Sequence, residues 1–119
     1  MSLCILAGGK LATVAAMLFT LSWSHSVQKT EWRETWAVTP DGLEIREAAI
    51  KGSGAGMEPG PDARLQDGWW VWHPTLPPQP RLMLAASGAT GGGWLLCHER
   101  GCLTIGATSG EAAVLSPCP

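Results

Sequence analysis

Ten consecutive residues of this chain keep a strict two-residue period: Phe19, Leu21, Trp23, His25 and Val27 alternate with Thr20, Ser22, Ser24, Ser26 and Gln28. Successive side chains of a strand point to opposite faces, so this alternation predicts a strand with one buried face. Trp32, Trp36 and Val38 likewise oppose Glu31, Arg33 and Thr35, and Leu43–Ile50 alternates through its first half. Between the two, Thr39-Pro40-Asp41-Gly42 has a turn mechanism, because proline presets φ and glycine accepts positive φ. The pair reads as a β-hairpin, with a bulge at Ala48-Ala49 where the phase breaks.

The remaining chain is punctuated by turn residues, with 15 glycines and 9 prolines among 119 residues. That leaves short strands and shaped loops rather than long helices. Short strands are expected at Leu3–Leu6, within Leu65–Trp72, at Arg81–Ala86, and at Ala112–Leu115. Trp94–Cys97 and Cys102–Ile105 flank His98–Gly101 as a second hairpin, and Pro74–Pro80 is a stiff polyproline-like spacer. The fold class is all-β: one compact domain over residues 1–119, a sandwich or partly open barrel of about seven to nine short antiparallel strands. Eight Lys+Arg against ten Asp+Glu leave no basic footprint for nucleic acid. With 15% charged and 45% hydrophobic residues, the chain is not an acidic disordered tail.

The amino end has two readings. Lys10, the run Leu11–Leu21 and Ser22-Trp23-Ser24 imitate the three parts of a cleaved secretory signal. The apolar run is too short for a transmembrane helix of about 20 residues. Cleavage after Ser24 would cut the alternating strand in two. Residues 1–23 are therefore read as strands, with a turn at Ala7–Lys10 and one or two strands across Leu11–Lys29.

Cys4, Cys97, Cys102 and Cys118 are even in number. Cys97 and Cys102 straddle a hairpin tip, while Cys4 and Cys118 lie near the two termini, which are often close in single domains. Disulfides Cys4–Cys118 and Cys97–Cys102 are the expected state, with buried thiols or a metal site as alternatives. The spacing lacks the paired C-x2-4-C of common zinc sites, and no metal is assigned. Disulfides would place the chain in an oxidising compartment.

Three stretches are distinctive together: Phe19–Trp32 (FTLSWSHSVQKTEW), Lys51–Pro59 (KGSGAGMEP) and Asp67–Trp70 (DGWW). With them the chain resembles a small bacterial family catalogued as domain of unknown function 1850. The resemblance runs from the first alternating strand through the Cys97–Cys102 hairpin. Members are typically encoded beside TAXI-type tripartite ATP-independent periplasmic (TRAP) transporters. It therefore implies an accessory role at the cell envelope, with a TRAP transporter component as partner, and supplies no catalytic residues. The implied address is periplasmic or exported, with the cytoplasm as the alternative.

No catalytic constellation emerges from the residues. His25, His73 and His98 form no metal-type pair, and His25 between Trp23 and Val27 reads first as a core imidazole. No G-x-S-x-G elbow frames a serine, and Ser22, Ser24 and Ser26 read as hydroxyls on a solvated face. Gly52, Gly54 and Gly56 match neither a phosphate loop nor a dinucleotide fingerprint, and no cofactor is assigned. Two non-enzymatic functions remain. The first is a docking module using Trp69, Trp70 and Trp72 with the loop Lys51–Glu58. The second is an organic-anion site built from His25, Lys29, Lys51, Gly52, Ser53, Gly54, Gly56 and Glu58, whose glycine amides can form an anion nest.

Overall fold

The computed structural model describes residues 1–25, 30–51, 62–86 and 93–118, and the alternation from Phe19 becomes strand as far as His25, its remaining positions lying outside the described residues. Among them eleven strands follow in order: β1 (Ser2–Ala7), β2 (Lys10–Ala15), β3 (Leu18–His25), β4 (Thr30–Thr39), β5 (Gly42–Lys51), β6 (Arg64–Gln66), β7 (Trp69–Trp72), β8 (Leu82–Leu84), β9 (Trp94–His98), β10 (Gly101–Ile105) and β11 (Ala113–Cys118). The described residues contain no helix. The number of strands exceeds the seven to nine expected, in part because Leu65–Trp72 is not one strand. Asp67 and Gly68 take positive φ (52° and 86°) and fold it into the hairpin β6–β7. Such paired left-handed residues match the right-handed twist of the flanking strands.

The strands form two antiparallel sheets, one of four in the order β2-β1-β11-β8 and one of seven in the order β10-β9-β3-β4-β5-β7-β6. Neither closes into a barrel, so the sandwich reading holds. Leu3, Ile5, Leu84 and Leu115 of the smaller sheet meet Phe19, Leu21, Trp36, Leu43 and Leu96 of the larger in one buried core. The chain changes sheet between β2 and β3. There Ala16 N–H donates to the Met1 carbonyl (3.2 Å) and Val38 N–H to that of Met17 (2.9 Å). Glu99 Oε1 also accepts from Met17 N–H (3.0 Å) and Leu18 N–H (3.2 Å).

The β4–β5 hairpin forms as expected, but its bulge does not fall at Ala48-Ala49. Thr35 pairs with Glu47 and Trp36 with Ile45, so Arg46 is the extra residue. The insertion puts Leu43, Ile45, Ala48 and Ile50 on one face, which the apolar pattern requires. Both expected disulfides are present: Cys4–Cys118 joins β1 to β11, and Cys97–Cys102 joins paired positions of β9 and β10. Their Cα atoms lie 5.7 and 4.0 Å apart. They fit an oxidising compartment. No helix among the described residues is long and apolar enough to cross a membrane.

Candidate functional site

The larger sheet gathers its tryptophans along one row. Trp23 pairs with Trp32, Trp32 with Ile50, Ile50 with Trp70, and Trp70 with Leu65. Four register steps thus set one apolar row across β3, β4, β5, β7 and β6. The Trp23 and Trp32 rings stack with centroids 5.9 Å apart, and Trp72 meets Trp32 edge-on at 6.4 Å. On the other side Trp23 leans against Trp94 at 4.7 Å. Among the described residues the packed core reaches Trp23 and Trp94, while Trp32, Trp70 and Trp72 lie outside it. Trp70 is 38% exposed, whereas Trp32 and Trp72 are half-buried. Two-residue periodicity makes this edge: Trp70 and Trp72 share one face of β7, as expected, and Trp69 takes the other.

Polar groups are embedded in the aromatic surface. Glu34 lies between Trp32 and Trp36 on the inward parity of β4, with Leu21 and Ala48 as its cross-strand neighbours. Its Oε1 accepts a hydrogen bond from Trp36 Nε1 (3.1 Å). Burial pushes the Glu34 carboxyl above its ordinary pKa, and the Trp36 bond offsets part of that rise. Thr30 is fully buried, and neither its Oγ1 nor the buried Trp32 Nε1 finds a hydrogen-bond partner among the described residues.

The opposite face of the same sheet carries a second cluster. Arg33 Cζ lies 4.5 Å and Lys51 Nζ 5.8 Å from the Trp69 ring centroid. Three strands, β4, β5 and β7, therefore bring two cations to one indole. The ion pair among the described residues is elsewhere, between exposed Arg46 and Glu44 (3.1 Å).

Lys51 and Trp69 are thus brought together, joined by Arg33. The backbone of His25 pairs with Thr30, whereas Lys51 pairs with Glu31, so positions 25 and 51 have opposite parity on the sheet. Ser22 and Ser24 also have the opposite parity to position 25. Lys29, Gly52, Ser53, Gly54, Gly56 and Glu58 lie outside the described residues. A separate cleft of about 380 Å³, lined by Ala86, Gly106, Ser109 and Glu111 among others, includes no tryptophan. No group of three His, Cys, Asp or Glu among the described residues is placed to hold a metal ion. Sequence reasoning passed over Glu34, although a carboxylate sharing the parity of Trp32 and Trp36 was a legible signal. Thr30 and Arg33 carried no such signal, because burial and stacking depend on neighbouring strands.

A family model for a domain of unknown function, DUF1850, matches residues 19–105. The chain belongs to that family. The DUF1850 match takes in the larger sheet from Phe19 of β3 to the end of β10, and therefore the whole tryptophan row. No curated protein and no solved structure matches the chain.

Proposed function

We propose that this chain is a non-enzymatic accessory module of the cell envelope that docks on a partner protein through the tryptophan-bearing end of its larger sheet. One observation carries the reading: the row Trp23–Trp32–Ile50–Trp70 ends on Trp70, a large apolar side chain left 38% exposed. Tryptophan is enriched at the energetic centres of protein interfaces, where a wide flat ring is desolvated at small entropic cost. The two disulfides support an exported, periplasmic address. The family resemblance supports the finer identity of the partner, a component of a TAXI-type TRAP transporter.

Cross-linking in native membranes, followed by pull-down of the tagged chain, tests this. The wild-type chain is expected to retain a transporter component, and Trp70→Ala or Trp72→Ala to lose about tenfold or more in binding, the usual weight of a central interface tryptophan. Absence of any association with the wild-type chain would refute docking.

A second reading rests on the Arg33–Trp69–Lys51 cluster, which suits an organic anion. A thermal-shift screen across organic acids discriminates it. A flat response, with Lys51→Ala changing nothing, disposes of the anion site.

A further inference from the structure

We propose that the open edge of β2 is a homodimer interface, where two copies of the chain pair their β2 strands antiparallel about a twofold axis through Thr13. The inference is independent of the docking reading, because it uses the smaller sheet and none of the tryptophans.

β2 stands at the margin of the smaller sheet, and its residues 10–13 and 15 are exposed. Gly8 and Gly9, both at positive φ, close a two-residue hairpin onto Ala7 and Lys10, which such a turn makes a hydrogen-bonded pair. Antiparallel pairs then alternate, so Lys10, Ala12 and Val14 direct their backbone groups to β1. Ala16 continues that parity, with its N–H on the Met1 carbonyl at 3.2 Å. Leu11, Thr13 and Ala15 therefore turn their N–H and C=O groups to the open edge. Natural edges are guarded by shortness, by proline or by charge within the strand. β6 and β8, at two other margins, have three residues each. β2 has six, carries no proline, and holds its one charge at its first position, Lys10.

A twofold axis through Thr13 sets Leu11 opposite Ala15 of the second copy, Thr13 opposite Thr13, and Ala15 opposite Leu11. Each of these pairs exchanges two backbone hydrogen bonds, so every outward group of the strand is matched. A shift of two residues either way leaves Leu11 or Ala15 without a counterpart in β2. Leu11, a large side chain left 68% exposed, comes to lie beside the methyl group of Ala15, which leaves it room. Charge selects the same register. Lys10 falls opposite Ala16 of the second copy, next to Met17, whose N–H donates to Glu99 Oε1 at 3.0 Å. Lys10 shares the parity of Val14, which packs toward the larger sheet, and Glu99 sits in the β9–β10 turn of that sheet. Both are exposed, and the ion pair among the described residues involves neither. Twofold symmetry thus offers each copy's lysine the other's carboxylate, a match that favours a second copy over an unrelated strand.

Sedimentation equilibrium of the oxidised full chain tests this. The wild-type chain is expected to associate reversibly to twice its 12.6 kDa. Thr13→Pro removes a donor that β1 does not use, which an edge strand tolerates. It is expected to weaken the dimer by about tenfold or more, through loss of the two central hydrogen bonds. Thr13→Lys, which sets like charges directly opposite each other, serves where proline disturbs folding. Lys10→Glu and Glu99→Lys are each expected to weaken self-association by about tenfold, since both symmetric contacts turn repulsive. Mixed together, these two chains are expected to pair with each other more tightly than either pairs with itself, because that dimer alone restores both contacts. A wild-type chain that stays monomeric at about 1 mM overturns the inference. So does a dimer that survives both position-13 variants, or a mixture no tighter than its components. A dimer lost instead in Trp70→Ala overturns it in favour of self-association through the tryptophan row.

Discussion

At the scale of single residues, Glu34 and Glu99 are opposites. Glu34 is partly removed from water, which raises its carboxyl pKa. Its folded state therefore binds a proton more tightly than the unfolded chain does. Its stabilising contribution is complete below the ordinary value of 4.5 and is lost as pH rises through the higher folded value. Glu34→Gln isolates the carboxylate. The variant is expected to exceed the wild-type chain in urea midpoint at about pH 7 and to lose the advantage near pH 4. A variant that is less stable at both values contradicts the assignment. Glu99 is fully exposed, and its own backbone amide, then those of Met17 and Leu18, hold its carboxyl below the ordinary value. Its sign is reversed: its contribution is present above the unfolded value and fades as pH falls through the folded one. Glu99→Ala is expected to speed hydrogen exchange at Met17 and Leu18, where two strand-entry amides lose their acceptor. Unchanged exchange there would mean that the carboxylate is not their working partner.

Elements depend on a few backbone positions that alternation does not expose. Gly42 opens β5 with φ +136°, and a Cβ there would lie 2.6 Å from the Gln79 carbonyl oxygen. That close approach lets Leu43 and Gln79 exchange two hydrogen bonds of 2.7 and 2.8 Å, which bind the proline-rich segment to the larger sheet. Gly42→Ala must move backbone and adopt a conformation that side chains resist. It should destabilise the chain by about 1–3 kcal/mol, the typical cost of such strain, read as a lower denaturant midpoint. An unchanged midpoint would mean that the segment yields freely. The turn itself was legible in Pro40-Asp41-Gly42, and so were both hairpins, because the signals are local. The bulge was only half legible. The phase break between Ile45 and Ala48 is written in the sequence, but the choice of Arg46 is made by the partner strand, which seats Thr35 opposite Glu47 and Trp36 opposite Ile45. The same limit applies to the tryptophan row. Each indole's parity could be read from its own strand, whereas the alignment of Trp23, Trp32 and Trp70 across β3, β4 and β7 required the register of the whole sheet.

For the molecule as a whole, the two disulfides divide the work unequally. The DUF1850 segment ends at Ile105, before β11, and begins after β1 and β2. Those three strands complete the smaller sheet, whose inward leucines cover the core of the larger. Cys4–Cys118 fastens this cover by joining β1 to β11 across a sequence separation of 114, whereas Cys97–Cys102 spans a separation of 5 within one hairpin. A cross-link stabilises chiefly by restricting the unfolded chain, so its worth grows with the loop it closes. In that model the terminal bridge contributes about 4.7 kcal/mol and the hairpin bridge about 2 kcal/mol. Domains of this size are stable by only about 5–15 kcal/mol, so the larger loss approaches the whole margin. The Cys4→Ser/Cys118→Ser chain is therefore expected to unfold at far lower urea than wild type, the Cys97→Ser/Cys102→Ser chain only modestly lower, and reductant to bring the wild type to the level of the chain lacking both. Equal losses from the two pairs would show that the amino- and carboxy-terminal strands hold the cover without their bridge. The smaller sheet would then be fastened by packing alone, and an oxidising compartment would not be needed for the fold.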